Sequence, residues 1–165
     1  MNQALHDWTF DSEASMADVF RKLNEAHCDA QDIIHRAMDR TFEIRFRRVG
    51  LEYPRHYKLA RRLGLLWSQS IPYVRCLFRL NGVGHCEMEW RDSVTAAPQR
   101  LFCGCDHDRD TWVLKFTGLT VRLMLDAPPS GFLTDLEILV RHRANWRMRV
   151  GLRPPASWKE QAQTK

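Results

Sequence analysis

From Tyr73 to Leu80 the chain alternates: Val74, Cys76, Phe78 and Leu80 stand at every second place, with Tyr73, Arg75, Leu77 and Arg79 between them. A period of two belongs to a β-strand with one buried and one wet face; a helix would scatter these side chains around its axis. Asn81-Gly-Val-Gly84 then supplies turn chemistry. Cys86, Met88 and Trp90 resume the alternation with His85, Glu87 and Glu89 between them. A three-residue loop at 81–83 predicts a hairpin in which Phe78 faces Cys86, Cys76 faces Met88 and Val74 faces Trp90. The same register sets Arg75 opposite Glu89.

Other segments repeat the pattern. Phe42, Ile44 and Phe46 alternate with Glu43, Arg45 and Arg47. Leu101, Cys103 and Cys105 alternate with Phe102 and Gly104, and the polar turn Asp106–Asp110 returns the chain to Trp112, Leu114 and Phe116. Leu119, Val121, Leu123 and Leu125 make a further strand. The stretch Asp126–Gly131, with Pro128 and Pro129, predicts a break. Phe132–Val140 fits either a strand or a helix face, and Trp146, Met148 and Val150 again predict a strand.

Two segments follow the helical period instead. With Ser15 as N-cap, Met16, Val19, Phe20, Leu23, Ala26, Ala30, Ile33, Ile34 and Ala37 recur at steps of three and four. Asp18, Glu25, Asp29 and Asp32 fall on the opposite face. Pro54 is placed to start a second helix, with Leu59, Leu63, Leu66 and Trp67 on one side and Arg55, Lys58, Arg61 and Arg62 on the other. Trp8 and Phe10 in residues 1–11 predict an arm laid against the domain.

At 165 residues and 19.4 kDa the chain suits one domain. The expected fold is α+β: two N-terminal helices packed on one mainly antiparallel sheet of about five to seven strands. It would occupy residues 1–152, with 153–165 a loose C-terminal tail. Five cysteines at irregular spacing argue against a secreted disulfide framework. No secretory signal is visible, and no apolar run reaches the length of a membrane span. The expected setting is cytoplasmic, without a membrane partner.

Charge is unevenly spread. Residues 1–39 carry eight acids against three bases, while residues 40–82 carry ten bases against two acids. Such a block meets phosphate, an acidic partner, or the chain's own acidic segment. Bases are mostly arginine, whose planar fork suits phosphate, although a GC-rich genome gives the same bias. Arg45, Arg47 and Arg48 with Arg55, Lys58, Arg61 and Arg62 form one basic group, interleaved with Tyr53, His56 and Tyr57. Arg141, Arg143, Arg147 and Arg149, with His142 and Trp146, form a second.

Chemistry beyond this is sparse. Cys103-Gly-Cys105-Asp-His107, with His85-Cys86, gathers zinc-ligand types but lacks the CxxC knuckle, and the two cysteines read as core facing Trp112, Leu114 and Phe116. Asp106-His-Asp108-Arg-Asp110 opens like a calcium loop, yet Thr111 and Thr117 occupy the places of its glycine and closing glutamate. His56 and His142 lie near arginines but read as surface histidines. No nucleophile elbow, phosphate loop or metalloprotease helix is present in the sequence.

The expectation is therefore a small, basic, non-enzymatic protein associated with nucleic acid, DNA or RNA, through those two arginine groups, as an accessory subunit of a nucleoprotein complex. No catalytic residue, metal or cofactor is expected. The alternative is a protein-binding inhibitor or adaptor that uses its acidic helix or its basic face.

Overall fold

In a computed structural model, which describes residues 5–53, 57–60, 66–91 and 99–144, alternation dominates far more of the chain than the sequence suggests. Strand β1 (Asp7–Phe10) precedes helix α1 (Glu13–Lys22). Then come β2 (His27–Asp29), a single 3₁₀ turn (Ala30–Asp32), β3 (Ile33–Arg36) and β4 (Thr41–Val49). Strands β5 (Tyr57–Ala60), β6 (Leu66–Trp90), β7 (Gln99–Asp108), β8 (Thr111–Phe116) and β9 (Leu119–Ala144) complete the order.

The chain divides into two compact units. One takes residues from Met1–Arg48 and Val74–Glu137, the other from Val49–Tyr73 and Ile138–Lys165. In the first, β6, β4, β2, β7, β8 and β9 follow one another in hydrogen-bonded order, and pairing of β9 with β6 closes them into a six-stranded antiparallel barrel. At the closing seam Arg91 N–H donates to the Gly118 carbonyl at 3.2 Å, and Arg75 meets Glu137 at 3.2 Å. Strand β1 adds to β9, Trp8 opposite Leu133 and Phe10 opposite Gly131, while β3 adds to β4. In the second unit β5 runs antiparallel to the start of β6, Tyr57 opposite Gln69 and Ala60 opposite Leu66. There Gly50 N–H donates to the Pro72 carbonyl at 2.9 Å.

Inside the barrel the sequence parity is obeyed. Val74, Cys76, Phe78 and Leu80 are fully buried, as are Phe42, Ile44, Leu114 and Val121. Each such side chain contributes about 1.5–3 kcal/mol on leaving water. Helix α1 delivers Met16, Val19 and Phe20 to the same core. Phe20 is the hub, with ring centroids 5.2 Å from Phe78, 5.7 Å from Phe102 and 6.0 Å from Trp112.

The expected α+β architecture is corrected to this barrel with one helix. The first helix stops at Lys22 because Glu25 takes a left-handed φ of 61° and turns the chain. Beyond it Cys28, Ile33 and Ile34 lie in strands and Ala30 in the 3₁₀ turn, while the Ala26 carbonyl accepts from Phe102 N–H at 2.8 Å. Its N-cap is Ser12, not Ser15; the two serines form a capping box. The second helix is absent as read, since Tyr57–Ala60 and the residues from Leu66 are strand. Its apolar spacing satisfied both periods, and pairing with a neighbouring strand favoured the extended one.

Two expected breaks are not breaks. The hairpin at 81–83 does not form; β6 passes through as one strand, with Gly82 at φ 74° absorbing the bend and Val83 N–H bonded to the Arg40 carbonyl at 2.9 Å. Arg75 accordingly pairs with Glu137, and Glu89 with Arg122 at 3.8 Å. Likewise β9 continues through Pro128 and Pro129. The hairpin of β7 and β8 does form as expected, but a bulge between Phe102 and Gly104 shifts its parity. Phe102 turns inward and Cys103 outward, which overturns the core reading of Cys103. The strand expected at 146–150 and the tail at 153–165 lie outside the described residues. Among the described residues no helix is long and apolar enough to cross a membrane, which says nothing about strands.

Candidate functional site

Among the described residues, most bases of the middle segment meet the chain's own acids. Arg47 reaches Asp29 at 2.8 Å, Arg40 reaches Asp126 at 3.2 Å, and Arg79 holds Glu43. Arg48 is 3% exposed and clasps the buried Asp135. Arg45 is exposed on β4. Lys58 lies in β5, and Arg141 and Arg143 in β9, with their side chains outside the description. Arg55, Arg61, Arg62, Arg147 and Arg149 lie outside the described residues, as does His56. Of the helix face expected from Arg55, Lys58, Arg61 and Arg62, the structure describes Lys58 alone, and it lies in strand β5 rather than in a helix.

The cysteines do not gather either. Burial pushes the Cys105 thiol up to about 12, Asp106 adding to the rise and Lys115 opposing it. Burial likewise raises Cys28 to about 12, with Asp32 and Asp29 contributing, and Cys86 to about 11. A thiol so raised is a poor source of the thiolate that metals and electrophiles need. Cys103 is exposed, its Sγ 3.4 Å from the Leu101 carbonyl. Among the described residues no three His, Cys, Asp or Glu side chains form a metal set.

What does assemble is a cleft of about 770 Å³ between the start of α1, the β7–β8 turn and the middle of β9. Its floor is Trp112, Leu125, Pro128 and Pro129. Its lining also carries four carboxylates, Asp11, Glu13, Asp110 and Asp126, with Arg109 among them and Asp126 paired to Arg40 at 3.2 Å. The turn that presents Asp110 is fixed by Arg109 in the left-handed region at φ 54° and by Leu125 N–H donating to the Asp110 carbonyl at 3.0 Å. His107 stacks on Trp112 with centroids 4.3 Å apart, and its Nε2 lies 3.6 Å from Glu13. The capping box ties Ser15 N–H to the Ser12 hydroxyl and Ser12 N–H to the Ser15 hydroxyl, fixing the start of α1 where Ser12, Glu13 and Ala14 line the cleft.

A second, smaller cleft of about 410 Å³, also lined by Trp112, lies between α1 and β7. Ala17, Phe20, Phe102 and Cys105 wall it, and Arg21 and Asn24 stand at its edge. Gly104 of the β7 bulge is part of its lining, and a Cβ placed there would meet nothing within 4 Å.

Chemically, carboxylates around an apolar floor attract and orient a cation whose stem is apolar, the description of an arginine or lysine side chain. Sequence reading found Asp106–Asp110 only as a calcium-like string. Asp11, Glu13 and Asp126 carry no local signal, since only the fold brings them to that turn.

Compared with known proteins, the chain matches no family model, no curated protein and no solved structure.

Proposed function

We propose that the protein is a non-enzymatic binding protein that takes a basic segment of a partner protein into the acid-rimmed cleft. The observation that carries this reading is the carboxylates of Asp11, Glu13 and Asp110 lining one cleft with Trp112, Leu125, Pro128 and Pro129, beside Asp126 in its pair with Arg40. It develops the adaptor alternative rather than the nucleic-acid expectation, whose helix is missing and whose Arg47 and Arg48 already hold Asp29 and Asp135. Within the same proposal the setting is cytoplasmic, in keeping with five free thiols, two of them buried.

Fluorescence anisotropy with labelled hexaarginine, hexalysine and hexaglutamate peptides tests it. Both cationic peptides should bind, more weakly as salt rises, and hexaglutamate should not. Joint replacement Asp11→Asn and Asp110→Asn should weaken the cationic peptides by about tenfold, equivalent to about 1.4 kcal/mol. Arg45→Ala should leave them unchanged. Equal affinity for all three peptides, or indifference to the double replacement, would remove the reading.

A further inference from the structure

We infer that Cys103-Gly104-Cys105 is a reversible dithiol–disulfide site, whose two sulfurs join when the chain meets a small-molecule disulfide of the glutathione type. The inference is independent of the acid-rimmed cleft and of what that cleft binds.

The bulge in β7 sets the two thiols on unequal terms. Register passes from Phe102 opposite Phe116 to Gly104 opposite Lys115, so Cys103 is the residue with no opposite number in β8. Cys103 is exposed, while Cys105 is half-buried against the core. An exposed thiol beside a sheltered one suits a redox pair: the first meets the reagent and the second resolves it. In the reduced chain each sulfur has its own contact. Cys103 Sγ lies 3.4 Å from the Leu101 carbonyl, and Cys105 Sγ lies 3.5 Å from the Asp106 carbonyl.

Joining them takes a local movement, and position 104 permits it. Two residue steps span at most about 7 Å, and a disulfide accepts Cα atoms up to about 6.8 Å apart, so little contraction is needed. Gly104 sits between the two at φ 147°, a region open to glycine, and a Cβ built on it meets nothing within 4 Å. Gly104 and Cys105 both line the smaller cleft of about 410 Å³, so there is open volume beside Cys105. The flanks are tied. Leu101 N–H donates to Thr117 Oγ1 and its carbonyl accepts from Thr117 N–H, Phe102 N–H reaches Ala26, and Cys105 is back in register with Leu114.

The chemistry is two exchanges. The Cys103 thiolate attacks one sulfur of glutathione disulfide, whose S–S bond breaks and releases one glutathione thiolate. Cys105 then gives its proton to solvent and attacks the Cys103 sulfur, displacing the second glutathione. Two protein thiols are oxidised to one disulfide, and one glutathione disulfide is reduced to two glutathiones. Burial holds the Cys105 thiol up to about 12, so resolution waits on the movement that uncovers it and is the slower step. A ring closed over a single intervening residue is strained, and strained disulfides are the readily reduced ones, as a switch in a reducing compartment requires.

Trypsin cuts after Arg100 and Arg109, which releases both cysteines in one peptide, 101–109. The full reduced chain is incubated with glutathione disulfide at neutral pH, quenched by alkylation, digested and weighed. The peptide should first carry one glutathione on Cys103, then lose it and weigh two hydrogens less than the reduced form. Excess reduced glutathione should restore both thiols. Cys105→Ser should halt at the glutathione adduct, and Cys103→Ser should leave the peptide unmodified; thermal melts verify that both variants fold. A persistent adduct in the parent chain, a Cys103–Cys103 bond between two chains, or a bond from either cysteine to Cys86 overturns the site.

Discussion

Arg48 and Asp135 face each other inside the barrel unit with Nη2 2.9 Å from one carboxylate oxygen and 3.0 Å from the other. Neither side chain is more than 3% exposed. Trp8 of β1 covers the guanidinium, whose carbon lies 5.0 Å from the ring centroid. A pair so dry contributes little by existing and costs much when halved, because desolvation of both charges nearly cancels their attraction. Asp135→Ala should therefore destabilise the fold by about 3–5 kcal/mol, and Arg48→Met with Asp135→Leu together should recover most of the loss. Urea unfolding of the three variants measures this.

The raised thiols predict an alkaline weakness. A folded-state proton held to about 12 at Cys28 and Cys105, and about 11 at Cys86, is lost near the ordinary value of 9 once the chain unfolds. Above pH 9 the unfolded state binds fewer of these protons, so stability is fully present below pH 9 and falls as pH climbs toward 11–12. Cys28→Ala should flatten the decline in denaturant midpoint between pH 9 and 11 relative to the parent chain.

Thiol reagents should sort the same residues. At pH 8 the native chain should react first at Cys103, which is exposed, with Cys28 and Cys76 silent until unfolding. Mass mapping after brief alkylation would show the order, and early labelling at Cys28 would contradict it.

Removing the cap of α1 should loosen the wall of both clefts. Ser12 accepts from Ser15 N–H at 3.4 Å, and its carbonyl accepts from Met16 N–H at 3.0 Å. Ser12→Ala should cost about 1 kcal/mol in thermal or chemical unfolding, and Ser12→Asp should restore it.

At Gly131 three strands meet. A Cβ there would run into the Arg79 carbonyl of β6 and lie 2.7 Å from the Phe10 ring of β1. The obstruction is backbone, which cannot swing aside. Gly131→Ala should destabilise by about 1–3 kcal/mol, whereas Gly104→Ala, with open space around it, should pay only for its backbone conformation.

Parity was legible in the sequence: Val74 to Leu80, Phe42 to Phe46 and Trp112 to Phe116 point where alternation says they point. Continuity was not. Gly82 and the pair Pro128-Pro129 carry the chemistry of turns, yet in a closing barrel a long strand must bend, and glycine and proline are also what bends it. Helical spacing at Ala26–Ala37 misled because small and β-branched residues three and four apart fit a strand–turn–strand equally well. The bulge at Cys103 inverts parity by one residue, invisible without its partner β8. The site was the least legible part. Asp11 and Asp126 are 115 positions apart, and no local pattern marks residues that meet only when β9 comes back beside the start of α1.

Strand β1 pairs with residues 131–134, so the first of the described strands to be made has to wait for the last of them. At a synthesis rate of about 5–20 residues per second, that is roughly 6–25 s during which Trp8 and Phe10 have no seat. For the later part of that interval, from the making of β6 to that of β9, the edge of β6 that will meet β9 stays unpaired, a template for any extended chain nearby. Contacts this distant in sequence also make for slow folding once the chain is free. The barrel's completeness at the end thus implies a long incompleteness on the way, and production at lower temperature or with a holding chaperone should raise its soluble yield.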